Sequence, residues 1–248
     1  MKRTFKTWLP SAKSEQPKEL PTGEAFRPEW IDFERGIRVG NLEPHERITQ
    51  ILKYHLESLH RTPFITDRWG RGVYWQWICW LPRANREVKP ISHGVNFGCA
   101  KLFISADGER SIFKSGLTIE RGYASGPEAS KPWGIQPDFD WHRLIQQCRQ
   151  GTVFDRELHR LVQSEGFVAA AIKEQVSGEL AERSFTGTNE LRRALQRCSP
   201  ERWAGFQLYY PMPERELRAC TGYELVQAIT AVFRELVPAI NCCMEVPL

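Results

Sequence analysis

Arg68-Trp69-Gly70-Arg71-Gly72-Val73-Tyr74-Trp75-Gln76-Trp77-Ile78-Cys79-Trp80-Leu81-Pro82-Arg83 is the stretch whose reading decides the fold. Four of the nine tryptophans of the 248-residue chain fall in it, with three arginines around them. Aromatic and β-branched side chains favour a pleated strand. Alternation then puts Val73, Trp75, Trp77, Cys79 and Leu81 on one face and Tyr74, Gln76, Ile78 and Trp80 on the other. Both sets are largely apolar, which places the strand inside a sheet and covered on each side. Gly70-Arg71-Gly72 lacks the Lys-Ser/Thr ending of a phosphate-binding loop. It leads into a strand, so it offers no helix N-terminus to a phosphate.

Two further extended runs follow, over residues 96–105 and 111–123, joined at Asp107-Gly108. That dipeptide signals a two-residue hairpin turn, because glycine supplies the positive φ such a turn needs. On the returning strand Phe113, Ser115, Leu117 and Ile119 should face the core, leaving Lys114, Thr118 and Glu120 on the opposite face. Lys101 belongs to the first strand of the pair.

Upstream, residues 1–28 are rich in Lys, Pro, Ser and Glu and carry little apolar periodicity, so they read as a flexible arm anchored at most by Phe5, Trp8 and Leu9. Residues 29–248 then form a single domain. A helix starts near Pro44 with an apolar stripe of Ile48, Ile51, Leu52, His55 and Leu59, and ends at Thr62-Pro63. Downstream, residues 123–137 are loop, and Asp138 or Asp140 caps a helix carrying Trp141, Leu144, Ile145 and Cys148. A second helix from Thr152 buries Phe154, Leu158, Leu161 and Val162. Strands are expected over 167–176 and 203–210, the latter closed by Pro211 and Pro213, with a short helix capped by Thr188 between them. Thr221-Gly222-Tyr223-Glu224 fits a capping box, opening a helix with Leu225, Val226, Ile229, Val232, Phe233, Leu236 and Val237 on its apolar face. The fold class is α+β: a mainly antiparallel sheet with a central aromatic-rich strand and hairpin, packed by several helices.

A net charge of +4 permits a phosphate-bearing partner without demanding one. Seven cysteines, an odd count with no apolar signal core near Met1-Lys2-Arg3, point to reduced thiols in a cytoplasmic protein. No apolar run is read as a membrane span. Metal-ligand spacing is missing: there is no C-x-x-C, no H-x-x-x-H and no H-E-x-x-H. None of Ser105, Ser111 and Ser115 lies in a nucleophile elbow, so no catalytic residue and no cofactor is assigned. A nuclease-like grouping of Asp107, Lys114 and Glu120 is outweighed by a plainer reading, in which Asp107 makes the turn and Glu120 pairs with Lys114.

The distinctive feature is aromatic side chains interleaved with arginine. Flat rings stack bases, and guanidinium groups hold phosphates. Trp69, Tyr74 and Trp80, framed by Arg68, Arg71, Arg83 and Arg86, are therefore candidate binding residues for DNA or another nucleic acid, with an aromatic pocket beside Trp69 or Trp80.

In order of features the chain resembles the N-terminal DNA-binding domain of McrB-type modification-dependent restriction proteins. The resemblance rests on Gly70 to Trp75 leading to Trp80-Leu81-Pro82, then on Lys101-Leu102-Phe103-Ile104-Ser105-Ala106-Asp107 and Phe113-Lys114-Ser115-Gly116-Leu117. It is one of pattern more than identity, since the family's Pro-Trp pair is replaced by Trp80-Leu81-Pro82. It implies a related fold and a non-catalytic module that binds nucleic acid, a modified or flipped base included, and it singles out no base-reading residue. A second reading remains open beside it: an enzyme or small-molecule-binding protein using the polar face of Lys101, Lys114, Thr118 and Glu120.

Overall fold

Thr221 and Glu224 close a reciprocal capping box, the Thr221 hydroxyl accepting from the Glu224 N–H and the Glu224 carboxylate accepting from the Thr221 N–H. From that start helix α7 runs over Gly222–Cys243. In the computed structural model, which describes residues 21–89, 96–122, 139–175, 177 and 180–248, this helix lies across the sheet and touches α1 (Ile48–His60), α3 (Phe139–Gln147), α4 (Val153–Ser164) and strand β6 (Ile112–Glu120). By length and composition α7 could cross a membrane. Here it is a core helix, with Leu225, Val226, Ile229, Phe233, Leu236, Ala239 and Ile240 buried.

The other described strands are β1 (Ile31–Asp32), β2 (Gly36–Arg38), β3 (Phe64–Arg71), β4 (Tyr74–Pro82), β5 (Lys101–Asp107), β7 (Val168–Glu174), β8 (Leu180–Ser184) and β9 (Ala204–Pro213). All nine join one antiparallel sheet in the order β1-β2-β4-β5-β6-β9-β7-β8, with β3 on the remaining edge of β4. The aromatic strand β4 is thus interior. One of its edges takes β3 along its whole length, and the other is shared by β5 at Trp77–Trp80 and β2 at Tyr74–Trp75. The remaining helices are α2 (Arg83–Glu87), α5 (Thr188–Gln196) and α6 (Glu214–Ala219).

A β-bulge changes the facing of the aromatic strand. Trp77 pairs with Trp69 and Trp75 with Gly70, which leaves Gln76 as an extra residue on β4. A bulge re-aims the side chains beyond it. Trp75 therefore packs with the helix-side core that holds Ile78 and Trp80, while Trp77 packs on the opposite face with Cys79, Phe103 and Tyr209. Plain alternation had placed both tryptophans on one face. Gly70 (φ +151°) permits the irregularity, since a Cβ there would collide with the Trp75 Cα.

Several local expectations are corrected in the same way. Asp107 pairs with Ile112, so residues 108–111 make a four-residue loop in place of a two-residue turn. The left-handed residue in that loop is Ser111 (φ +50°). Gly108 is needed because the Phe33 carbonyl oxygen occupies the space of a Cβ. Residues 96–100 form turns, and the strand begins at Lys101. Leu59 on α1 is 40% exposed, and Leu56 takes the buried position. Asp140 caps nothing: it lies inside α3, fully buried. Thr188 is the first residue of α5, and its hydroxyl donates to the Asp155 carboxylate of α4. β9 runs on through Pro211 and Pro213. It pairs with β7 only over residues 204–209, so beyond them one edge is free and a missing N–H costs no ladder bond. Phe5, Trp8, Leu9, Asp138, Val176 and the expected loop at 123–137 lie outside the described residues.

The arm expected over residues 1–28 overlaps the packed body at its end. Phe26 is 1% exposed and meets Trp30 edge-on at 5.6 Å. The Pro28 and Ile31 carbonyls accept from the Arg218 guanidinium. Phe26→Ala is therefore expected to cost about 3–5 kcal/mol, measured as a lower midpoint in urea at unchanged slope. A loss below about 1 kcal/mol would mean that Phe26 contributes no core packing.

Candidate functional site

The β3–β4 hairpin gathers four of the residues expected to bind. Arg68, Trp69 and Arg71 end β3, Gly72 and Val73 turn the chain, and Tyr74 begins β4. Arg71 and Tyr74 are cross-strand partners, and Tyr74 also pairs with Arg38 of β2, so the three side chains share the face turned away from the helices. Arg35 completes that row. Its guanidinium lies 4.2 Å from the centre of the Tyr74 ring and donates to the Tyr74 hydroxyl at 3.0 Å. It also donates to Asp32 at 2.6 Å, and the Asp32 carboxylate is held below its ordinary range, first by the Arg35 backbone N–H. One step along the same face, Trp69 stands opposite Trp77 and is 66% exposed, the most exposed of the large apolar residues described.

Across the bulge, on the helix side, the Arg68 guanidinium lies over Trp75, 3.6 Å from the ring centre. The Trp75 indole N–H donates back to the Gly72 carbonyl. Beside this stack is an open depression of about 210 Å³ lined by Thr49, Gln50, Thr66, Asp67, Arg68 and Trp75. It has one aromatic wall, where a pocket able to sandwich a base needs two.

Trp80 does not belong to this surface. It is fully buried, its indole N–H donates to the Thr49 carbonyl, and its ring meets Phe233 at 6.0 Å. An aromatic residue whose polar atom is satisfied inside the core is packing, and no base can reach it. Arg83 and Arg86 lie on α2, at the far end of β4, roughly 26 Å from the hairpin turn at the rise of an extended strand. The arginines expected to frame one surface therefore belong to two.

Lys101, Lys114, Thr118 and Glu120 share the outer face of the sheet, as the alternation of β6 requires, but the first three are buried, Glu120 is partly buried, and the charges are internally paired. Lys101 contacts Glu120 at 2.5 Å and Lys114 contacts Asp107 at 2.8 Å, so the expected Lys114–Glu120 pair is replaced by two others. Burial is the largest single effect and would lower the Lys101 amine, but the charge and hydrogen bond of Glu120, together with the neighbouring Cys79 and Cys99, turn the net shift upward. The Asn96 and Phe97 carbonyls accept from the same amine. Between the two pairs lie aromatic rings: Trp77 stacks on Phe103 at 6.3 Å, and Lys114 sits 4.9 Å over Tyr209.

This face is deep because the sheet twists. Ile112 and Glu120 lie at opposite ends of β6, and β8 is three strands away, so a flat sheet would set Arg110 and Glu182 roughly 30 Å apart. They form an ion pair at 2.9 Å. The far edge of the sheet thus arches back toward the β5–β6 loop and over Tyr209, whose hydroxyl is pushed up to about 12 by burial and then by Glu182. A second polar knot joins α2 to α3: Lys89 contacts Asp140 at 3.1 Å, and Asp140 also accepts from Asn85 and from the Ala100 N–H. Burial nevertheless raises the Asp140 carboxyl. The seven cysteines are free thiols, and among the described residues no three His, Cys, Asp or Glu side chains gather as a metal site would need.

Arg35 and Arg38 were not among the residues expected at the site. The signal for them is the run Gly36-Ile37-Arg38-Val39, which alternates apolar and charged side chains after a turn, but is too short to read as a strand by itself. Compared with known proteins, the chain matches no family model and no curated sequence. Its site is accordingly read from its own chemistry.

Burial would raise the Asp107 carboxyl, but the hydrogen bond and charge of Lys114 lower it below the ordinary 3.8. A carboxylate depressed on folding adds stability that is complete above its unfolded pKa and lost as pH falls through the folded one. That window lies at and below pH 3.8. Lys114→Met should therefore weaken the protein at neutral pH and move its acid-unfolding midpoint upward, followed by circular dichroism. An unmoved midpoint would show that the pair adds nothing to stability.

Proposed function

We propose that the protein is a nucleic-acid-binding module whose contact surface is the β3–β4 hairpin with β2 beside it. The observation that carries this reading is Trp69, a large ring 66% exposed and set among arginines. Arg68 and Arg71 are exposed, and among the described residues neither is engaged by a carboxylate. Arg71 shares the face of the open Trp69 ring, and Arg68 sits over Trp75 on the other side of the hairpin. A guanidinium beside an open aromatic face supplies the two things a strand of nucleic acid needs, phosphate neutralisation and a stacking platform. The partner is the one implied by the resemblance to McrB-type domains. The polar outer face gives less support to an enzyme, since Asp107 and Glu120 each already hold a lysine.

The test is a fluorescence titration with duplex and single-stranded oligonucleotides at several salt concentrations. Affinity should fall with salt, at a log–log slope of about −0.9 per phosphate neutralised on duplex or −0.7 on single strands. Arg71→Ala should weaken binding to all sequences and make that slope shallower by about one unit. Trp69→Ala should cost about 1–3 kcal/mol with the slope nearly unchanged. No binding tighter than millimolar at low salt would remove the proposal.

A further inference from the structure

Arg35, Arg38 and Arg71 surround one tyrosine. Arg38 and Arg71 flank Tyr74 from the two neighbouring strands, and Arg35 stacks on its ring. Three arginines whose positions adjoin one ring repel one another unless anions balance them. Among the described residues only Arg35 is balanced, by Asp32 at 2.6 Å. Glu34, next to it in the turn, is exposed. Arg38 and Arg71 make no ion pair among the described residues. Moreover Arg38 Nε is buried and has no hydrogen-bond partner there. A buried donor on a charged group is costly to leave unpartnered, and a donor of this kind on a strand position beside two other arginines marks the place of an acceptor.

Resting on the nucleic-acid reading, we infer that this cluster takes a terminal phosphomonoester of a nucleic-acid strand, with the terminal base laid against Trp69. The charge count favours an end over the chain interior. Arg38 and Arg71 bring two positive charges with no ion pair among the described residues, where a backbone phosphodiester carries one negative charge and a phosphomonoester carries about −1.5 to −2 at neutral pH. Planar guanidinium forks also match the several oxygens of a terminal phosphate. Spacing agrees as well. Trp69 and Arg71 stand on the same face two residues apart on β3, about 6.6 Å at the rise of a strand, comparable with the reach from a base to its own phosphate.

The experiment compares one single-stranded oligonucleotide in three forms, with a 5′-phosphate, with a 3′-phosphate and with hydroxyls at both ends, followed by quenching of tryptophan fluorescence. One phosphorylated form should bind at least tenfold more tightly than the hydroxyl form, and millimolar inorganic phosphate should reduce that preference. Arg71→Ala and Arg35→Ala should each bring the ratio toward one. Both residues are exposed, so neither change need disturb folding, whereas Arg38→Gln is the sharper test if that variant melts normally. Equal binding of all three forms would overturn the terminal-phosphate site and leave the nucleic-acid reading standing. A preference that survives Arg71→Ala and Arg35→Ala would overturn it too. No binding of any form would remove both.

Discussion

Trp80 is the point at which the sheet, α1 and α7 are fixed to one another. Its ring fills the space between β4 and Phe233 of α7, and its indole N–H is accepted by the Thr49 carbonyl in the first turn of α1. A side chain of this size, fully buried and with its single polar atom satisfied, allows one orientation of three elements. The hairpin surface depends on it indirectly. The strand that buries Trp80 at one end displays Tyr74 at the other, so the rigid core and the exposed site are two ends of one strand.

Between those ends the bulge at Gln76 is what makes the site two-sided. Without the extra residue Trp75 and Trp77 would share a face, and Arg68 would have no ring to lie on. With it, Arg68 and Trp75 are stacked on the helix side while Trp69, Arg71 and Tyr74 occupy the other. Period-two reading of the strand could not reveal this, since a bulge is specified by a backbone irregularity at Gly70 and by pairing with β3, whose own sequence reads only weakly as a strand. The α+β class, the interior position of β4, the capping box of α7 and the core stripes of α3 and α4 were legible, because periodicity and caps are local. Long-range partners were not: Lys101 finds Glu120, Lys114 finds Asp107 and Arg110 finds Glu182 through register and twist. The burial of Trp80 was likewise hidden, because composition alone does not separate a core tryptophan from an exposed one.

The buried charges on the outer face and near α2 carry a different implication. Each is matched by an opposite charge or several hydrogen bonds, as a charge withdrawn from water requires. Asn85, hydrogen-bonded to both Lys89 and Asp140, also receives the residues after α7, since its Oδ1 accepts from the Glu245 and Val246 N–H groups. One polar knot thus holds together α2, α3, the start of β5 and the residues that follow α7.

β3 has a consequence beyond ligand contact. Among the described residues it pairs with β4 alone, so the other side of this eight-residue strand has no strand partner there, although the Phe64 and Arg68 N–H groups donate to the Glu57 and Asp67 carboxylates. Such an edge is a template for a strand of another molecule unless charge or irregular backbone spoils it. Asp67, Arg68 and Arg71, together with the glycine irregularity at Gly70, do that here. The arginines read as contacts for a phosphate are also the guards of an edge, and neutralising several of them at once would trade solubility for silence at the binding surface.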